Sequence, residues 1–319
     1  MTEFELIARY FARQPVRRAD VVLGIGDDCA LLRPPPGLDL AITTDLLVAG
    51  VHFQSDVDPA ALGHKALAVN LSDLAAMGAE PAWFTLNLAL PEADPDWLGR
   101  FSAGMFELAR RHEIALVGGD TSRGPLVIGI QACGFVPQGQ ALQRAGARPG
   151  DRVFVTGELG DAGLALQQRL GKLDLPAEDI AAINDRLDRP AARVAAGLAL
   201  RGIASSAIDI SDGLVADLGH ILEASGVGAR IMRERVPVSA VCRRHLSAAG
   251  WELVLAHGDD YELCFTVPPS QLDRLRAMRD RLGCPVTEIG EIVSGETLAI
   301  IDSAGERWTP RRRGHDHFG

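Results

Sequence analysis

Short runs rich in valine and isoleucine alternate with longer segments of helical periodicity along the whole chain. This alternation indicates mixed α and β structure rather than a helical bundle or a β-sandwich. The apolar runs predict strands at 21–24, 38–43, 83–90, 114–117, 126–136, 153–156, 207–210, 262–267, 286–292 and 298–301. The helical segments predict helices at 59–77, 95–112, 160–170, 191–201, 214–224 and 270–282. We therefore expect a mixed α/β fold.

Two series of such elements are separated by a segment that lacks periodicity and is rich in Gly, Gln, Arg and Pro. With 319 residues, the chain is long enough for about two domains. We place an N-terminal α/β domain at 1–137, a linker at 138–150 and a C-terminal α/β domain at 151–305. A polar tail occupies 306–319.

The net charge of −10 and the cysteine pattern indicate which classes of protein this chain can belong to. A nucleic-acid-binding protein needs a basic surface to displace counterions from phosphates, so this acidic chain is not expected to bind nucleic acid. The five cysteines form no CxxC pair and are odd in number, which fits a reducing compartment. No apolar stretch approaches the roughly 18 residues that a membrane span needs. We expect a cytoplasmic protein without a membrane segment.

Aspartates recur just after apolar runs, often beside glycine. They stand in GIGDDCA (24–30), ITTDLLVAGVHF (42–53), NLSDLAAMGA (70–79), VGGDTS (117–122), IDISDGL (208–214) and HGDDYEL (257–263). A single aspartate in such a place is more often a turn former or a helix cap than a metal ligand. Asp73 differs, because it falls in a helical pattern among apolar neighbours and needs a partner such as a cation.

If the fold gathers these carboxylates, they repel one another unless cations lie between them. Oxygen ligands without a His or Cys cluster favour ions of the Mg²⁺ type over zinc. Thr43, Thr44 and Ser211 can add hydroxyl or carbonyl oxygens. The chain has no GxxxxGK(S/T), HRD with DFG, GxGxxG or GxSxG motif. A reaction that needs no activated nucleophile therefore fits best.

Nine motifs stand in order along nearly the whole chain: GIGDDCA, TTDLLVAGVHF, KALAVNLSDLAAMGA, GGDT, RAGARPGD, VTGELGDA, IDISDGL, GDDYELCF and GHDHF. Together they resemble the thiamine-monophosphate kinase family, whose superfamily includes aminoimidazole ribonucleotide synthetase, selenophosphate synthetase and a hydrogenase-maturation protein. The resemblance implies a two-domain aminoimidazole ribonucleotide synthetase-like fold with mixed sheets flanked by helices. It also implies ATP-dependent phosphorylation of thiamine monophosphate to thiamine diphosphate, with several Mg²⁺ ions and a homodimer. The N-terminal domain would bind metal and ATP and form the dimer.

The resemblance further implies site residues, motif by motif. The expected metal ligands are Asp28, Thr43, Thr44, Asp45, Asp73, Asp120, Asp209 and Asp212. The expected ATP contacts are Ala103, Gly119, Arg144 and Ser211, of which Ala103 stands in no motif. The expected substrate contacts are His52, Asp259 and His315, the last in the tail near the substrate. The chain departs from its relatives at 259, where Asp-Asp replaces a frequent Glu-Asp, and at 315, where an aromatic residue can occur.

The missing nucleophile predicts direct in-line transfer from ATP, without a phosphorylated enzyme. No general base is expected, because a phosphate monoester is already largely ionised at neutral pH. Simpler interpretations remain for single residues: His52 as a hydrogen-bonded strand residue, Arg144 as a solvated charge and His315 as part of a frayed tail. Two other functions also stay open, namely a superfamily member that uses another acceptor and a nucleotide- or thiamine-binding sensor without turnover.

Overall fold

The computed structural model describes residues 2–12, 16–311 and 314, and it divides into two compact units. The first unit comprises Met1–Leu74 and Ala79–Gly139, and the second comprises Ala75–Gly78 and Gln140–Gly319. The segment expected to link the domains is therefore counted with the second unit from Gln140 onward. Its backbone is held there, because Leu142 N–H donates to the Met77 carbonyl at 3.0 Å.

The first unit is built on a mixed four-stranded sheet. Its elements are α1 (Glu3–Leu6), β1 (Val21–Leu23), β2 (Leu31–Leu32), β3 (Leu38–Val48), α2 (Pro59–Ala76), β4 (Glu80–Leu90), α3 (Pro95–Arg111), β5 (Ala115–Arg123) and β6 (Val127–Pro137). The sheet has the order β3-β6-β4-β5, with β4 and β5 parallel and the other pairs antiparallel. Strands β1 and β2 form a separate antiparallel pair. Strands β3 and β5 are thus the two edges of the main sheet.

Helix α2 contributes to the core of this unit. Its predicted apolar positions are buried, with Leu62 2%, Ala66 2%, Val69 3% and Leu74 1% exposed. Helix α3 begins as its sequence predicts, with Pro in the first turn and the Asp94 carboxylate accepting the Asp96 N–H at 2.9 Å.

The second unit is built on a seven-stranded mixed sheet. Its elements are β7 (Arg152–Thr156), α4 (Asp161–Arg169), α5 (Ala177–Asp188), α6 (Val194–Leu200), β8 (Ser206–Asp209), α7 (Leu214–Ser225), β9 (Gly228–Met232), α8 (Ala240–Ala249), α9 (Trp251–Ala256), β10 (Leu263–Val267), α10 (Leu272–Ala277), β11 (Val286–Val293), β12 (Leu298–Ile301) and β13 (Arg307–Trp308). The order is β13-β12-β9-β11-β7-β10-β8, and only the β12–β9 pair is parallel among these described strands. An apolar cluster that includes Val153, Ile208, Leu218 and Leu253 forms one part of its core.

Every strand that the sequence predicts is present, but two of them extend well beyond their expected C-terminal ends. Strand β3 continues to Val48 and β5 continues to Arg123. Asp45 and Asp120 therefore lie within strands, and the prediction that they follow strand ends was wrong. The bounds predicted for the helix at 270–282 are also wrong. Only Leu272–Ala277 is α-helical, and a 3₁₀ turn lies on either side of it. The sequence pattern missed α5, α8, α9, β2, β9 and β13.

The structure adds two general facts. No helix in the described part of the chain is long and apolar enough to cross a membrane. All five cysteines are free thiols, and Cys242 and Cys264 are buried.

Candidate functional site

Strand β3 and helix α2 bring three expected metal ligands together in the first unit. Successive side chains of a strand point to opposite faces, so Thr43 and Asp45 share one face of β3. The Thr43 hydroxyl donates a short hydrogen bond to the Asp73 carboxylate on α2. Burial, and then the negative charge of Asp73, raises the pKa of Asp45 to about 7. A proton or a cation is therefore needed to hold these two carboxylates together.

This group of oxygens fits Mg²⁺ chemically. It contains two carboxylates and a hydroxyl, with no sulfur or imidazole ligand, which is the donor set of a hard cation. Across residues 2–12, 16–311 and 314, no three His, Cys, Asp or Glu side chains converge as one ready-made metal site. The two carboxylates thus leave coordination positions for oxygens from outside the cluster, such as phosphate or water.

Thr44 lies on the other face of β3. Its side chain is exposed, and its hydroxyl donates to the Ile130 carbonyl at 3.1 Å. A metal contact from Thr44 on the side of Asp45 would therefore come from its backbone carbonyl.

Two further expected residues, Gly119 and Asp120, lie on the opposite edge of the same sheet. Strand β5 is separated from β3 by β6 and β4, so the two edge backbones are roughly 14 Å apart at ordinary strand spacing. Both residues are exposed. Gly119 has φ +140°, and a Cβ there would lie 1.9 Å from the Leu86 carbonyl oxygen, so only glycine fits. Asp120 and Asp45 therefore do not contact each other within this sheet.

Asp28 lies in the exposed loop between β1 and β2. Its backbone N–H donates to the Asp27 carboxylate at 2.9 Å.

In the second unit, β8 and α7 place Asp209, Ser211 and Asp212 on one short connection. Asp209 is the last residue of β8 and is buried, whereas Ser211 and Asp212 are half-buried. The connection is fixed by Asp217 in the first turn of α7, whose carboxylate accepts the N–H groups of Asp212 and Gly213 at 3.1 Å each. Burial, and then the charge of Asp212, raises the pKa of Asp217 to about 7.

Asp259, an expected substrate contact, adjoins this connection. Its N–H donates to the Ser211 carbonyl at 2.9 Å. The structure therefore brings one expected substrate contact beside an expected ATP contact and two expected metal ligands. The motifs IDISDGL and HGDDYEL are far apart in the sequence, but they are in contact in the fold.

His52 lies in the turn after β3, and its ring orientation is defined. The Val48 N–H donates to Nδ1 at 3.0 Å. Since Nδ1 accepts this bond, the neutral ring carries its proton on Nε2. The hydrogen-bonded interpretation of His52 agrees with this contact, and the substrate contact stays a prediction.

His315 lies outside the described residues. The described residue next to it, Gly314, passes close to the β8–α7 connection, because a Cβ there would lie 3.1 Å from the Asp212 carbonyl oxygen. The chain thus reaches this connection one residue before His315.

The other two expected ATP contacts are exposed. Ala103 lies on the exposed side of α3. Arg144 is exposed in the segment before β7, and its carbonyl accepts a hydrogen bond from the Ser225 hydroxyl at 3.4 Å. These contacts anchor the backbone of Arg144 and leave its guanidinium at the surface.

Sequence reasoning missed two residues that shape the site, Asp217 and Tyr261. The sequence contains a weak indication of the role of Asp217, since an acidic residue in the first turn of a helix often binds backbone N–H groups. It contains no indication of the role of Tyr261, because the contact of Tyr261 with Asp259 depends on the backbone of the intervening turn.

Both units of the chain match known protein families. Residues 26–136 match the family described as AIR synthase related protein, N-terminal domain, and residues 148–303 match its C-terminal domain. The chain is 52% identical over 323 residues to the thiamine-monophosphate kinase of Escherichia coli strain K12, covering 99% of this chain and 98% of that protein. Identity to the Bacillus subtilis strain 168 thiamine-monophosphate kinase is 33% over 327 residues, covering both chains fully.

Solved structures agree with the sequence relatives. The crystal structure of thiamine-monophosphate kinase from Stenotrophomonas maltophilia K279a matches with a TM-score of 0.85 at 45% identity, covering 96% of both chains. The structure of AaThiL complexed with AMPPCP and TMP matches with a TM-score of 0.78 at 33% identity, covering 92% of both chains. The chain therefore has the two-domain aminoimidazole ribonucleotide synthetase-like fold, and it belongs to the thiamine-monophosphate kinase family.

Proposed function

We propose that this protein is an enzyme that transfers the γ-phosphoryl group of ATP to the phosphate of thiamine monophosphate. The products are thiamine diphosphate and ADP, and the reaction is the last step of thiamine diphosphate biosynthesis. The observation that carries this proposal is the match, over 92% of both chains, to a relative complexed with AMPPCP and TMP. We place the reaction in the cytoplasm, where ATP is supplied and free thiols persist.

The transfer is direct and in line. The acceptor oxygen belongs to a phosphate monoester whose second pKa is near 6, so it is largely ionised at neutral pH. No side chain has to remove a proton from it. The protein must instead hold two anions in contact and align them, which requires positioned hydrogen-bond donors and positive charge.

Thr43, Asp45 and Asp73 are the residues best placed to hold Mg²⁺, because their oxygens already lie together. Thr44, Asp28, Asp120, Asp209 and Asp212 are the further proposed ligands. Bound Mg²⁺ would supply positive charge that offsets the charge on the transferring phosphoryl group. Since Asp120 and Asp45 occupy opposite edges of one sheet, the proposed ligands serve more than one ion.

Several of the expected residues contact the two substrates in this proposal. Gly119 allows the β5 backbone to approach ATP, Ser211 contributes a hydroxyl, and Arg144 pairs its forked guanidinium with a phosphate. Ala103 borders the nucleotide from α3. His52 donates from Nε2, and Asp259 and His315 complete the contacts with thiamine monophosphate.

A homodimer is the proposed assembly. The outer face of the edge strand β3 exposes Leu40, Ile42 and Leu46, at 42%, 58% and 58% of their surface. A row of large apolar side chains on a sheet edge is typical of a protein–protein contact.

The proposed reaction is tested by incubating the purified protein with ATP and thiamine monophosphate, with and without Mg²⁺. We expect equal amounts of thiamine diphosphate and ADP, and only when Mg²⁺ is present. ADP formation with a different phosphorylated or selenium-containing acceptor, but not with thiamine monophosphate, would favour another member of the superfamily. Binding of ATP and thiamine monophosphate without any product would favour a sensor.

The mechanism has a separate test. Direct transfer inverts the configuration at a chiral γ-phosphorus, whereas a phosphorylated enzyme intermediate gives retention through two transfers. Retention, or a trapped phosphorylated protein that forms product at the observed rate, would overturn the in-line proposal and leave the reaction itself intact.

A further inference from the structure

The turn at 258–261 is held in place by the β8–α7 connection. The Tyr261 N–H donates to the Ile210 carbonyl at 2.8 Å, and the Asp259 N–H donates to the Ser211 carbonyl at 2.9 Å. Gly258 packs so closely that a Cβ would lie 1.8 Å from the Ser211 carbonyl oxygen. The backbone of this turn therefore has little freedom to move independently of Ser211.

Within this turn, two residues with side chains adopt left-handed backbone conformations. Asp259 has φ +69° and Tyr261 has φ +50°. Such conformations are uncommon for bulky residues and persist only where the surroundings hold them. Their effect here is a side-chain contact between residues two positions apart: the Tyr261 hydroxyl donates to Asp259 Oδ1 at 3.1 Å.

The donor of this contact is more deeply buried than the acceptor. The Tyr261 side chain is buried, with 9% of its surface exposed, while Asp259 is half-buried. A buried ring whose hydroxyl binds one carboxylate oxygen restricts the rotation of that carboxylate. The hydrogen bond to Oδ1 thereby restricts the orientation of the whole Asp259 carboxylate.

We propose that Tyr261 is a positioning residue, whose hydroxyl orients the Asp259 carboxylate toward the thiamine moiety of the acceptor. This inference rests on the proposed function. A carboxylate repels the phosphates of both substrates, whereas the thiazolium ring is cationic and the aminopyrimidine carries N–H donors. The charge of Asp259 therefore suits the organic part of thiamine monophosphate, and Tyr261 acts on its recognition rather than on the transfer step.

The first test is steady-state kinetics of Tyr261→Phe, which removes only the hydroxyl. We expect KM for thiamine monophosphate to rise about three- to tenfold, the range for losing one hydrogen bond. The kcat and the KM for ATP should change less than about twofold. The inhibition constant of unphosphorylated thiamine should rise by the same factor as KM, because the lost orientation concerns the thiamine moiety.

Tyr10→Phe is the matched control, because the chain has only two tyrosines and both donate their hydroxyl. The Tyr10 hydroxyl binds the Pro95 carbonyl at 3.1 Å in the first unit. Its loss should leave all three kinetic constants unchanged. Equal effects of the two variants would overturn the inference, since a general stability change would then explain both.

A double-mutant cycle separates this inference from the proposed function. Asp259→Gly removes the carboxylate and tolerates the positive φ, and Asp259→Ala replaces it if the glycine variant does not fold. In either background, Tyr261→Phe should have no further effect on KM for thiamine monophosphate. A further increase there, or an unchanged KM in Tyr261→Phe alone, would overturn the role of Tyr261. An unchanged KM in the Asp259 variant would overturn the substrate contact itself, and with it this inference.

Discussion

Asp45 on strand β3 lies close enough to Asp73 on helix α2 for the two carboxylates to repel each other. Burial and this repulsion raise the pKa of Asp45 to about 7. The Thr43 hydroxyl already stabilises Asp73 by donating a hydrogen bond to it. Asp45 is therefore the member of the pair that gains most from a bound cation, and its replacement is the most direct test of the metal site.

Asp45→Asn should weaken Mg²⁺ binding and also relieve the repulsion. We expect the Mg²⁺ concentration for half-maximal turnover to rise roughly a hundredfold, because a charged ligand is lost. Without Mg²⁺ at pH 8, where the wild-type pair is ionised, the variant should melt at a higher temperature than the wild type. Added Mg²⁺ should then raise its melting temperature less than that of the wild type.

Asp39→Asn is the matched control, because Asp39 is an exposed carboxylate on the same strand. It should leave both the Mg²⁺ dependence and the melting temperatures unchanged. Wild-type turnover by Asp45→Asn at limiting Mg²⁺ would remove Asp45 from the proposed ligands.

Gly258→Ala should disrupt the junction between the 258–261 turn and Ser211. The added Cβ would lie 1.8 Å from the Ser211 carbonyl oxygen, so one of the two backbones must shift. We expect a loss of about 1–3 kcal/mol in the free energy of unfolding. Turnover should fall roughly a hundredfold, because site groups move by about an ångström.

Gly219→Ala is the control for that substitution. Gly219 lies within helix α7, and nothing stands within 4 Å of the position of its Cβ. The change should raise the free energy of unfolding by about 0.5–1 kcal/mol and leave turnover unchanged. Similar activities of the two alanine variants would show that the close contact at Gly258 does not shape the site.

The sequence predicts the strands well because most of them are continuous apolar runs, but it misplaces their ends where the site lies. After Ile42, the polar residues Thr43 to Asp45 resemble the end of a strand. They remain in β3 because this strand pairs with β6 without interruption from Leu38 to Val48. Helix α5 has Ile180, Ile183 and Leu187 at the helical spacing i, i+3 and i+7, so the sequence does carry its pattern and the prediction overlooked it.

The sequence predicts which residue types form the candidate site, but it does not predict the contacts between them. The spacing of IDISDGL identifies Asp209 and Asp212 but does not reveal that Asp217 holds their connection. That contact depends on the backbone of Gly213, at φ +115°. The Tyr261–Asp259 hydrogen bond likewise depends on left-handed conformations at residues other than glycine, which no sequence pattern indicates.

Arg144→Ala should raise the KM for ATP about tenfold, because a guanidinium–phosphate pair is lost. The KM for thiamine monophosphate should stay unchanged, and steady-state kinetics with each substrate varied in turn measures both constants. Arg148→Ala is the control, since Arg148 is an exposed arginine of the same segment. If the two variants have the same KM for ATP, Arg144 is a solvated surface charge.

Asp260→Asn should change how stability depends on pH. Asp260 is buried, and its carboxyl oxygens accept the Gly160 N–H at 3.0 and 3.2 Å. Burial raises the pKa of Asp260 well above its usual range, while nearby Arg186 opposes this shift and Glu262 and Asp161 add to it. The unfolded chain gives up this proton near pH 4, and the folded protein retains it to a higher pH.

Because the unfolded state then binds fewer protons than the folded state, Asp260 lowers the free energy of unfolding as pH rises above about 4. The decrease ends once pH exceeds the folded-state pKa. Asn keeps an acceptor for Gly160 and does not titrate, so the stability advantage of Asp260→Asn over the wild type should grow from pH 4 to pH 8. Urea unfolding across this range measures it, with exposed Asp280→Asn as the control for one lost charge. A difference between wild type and Asp260→Asn that does not increase with pH would mean that Asp260 is ionised in the folded protein.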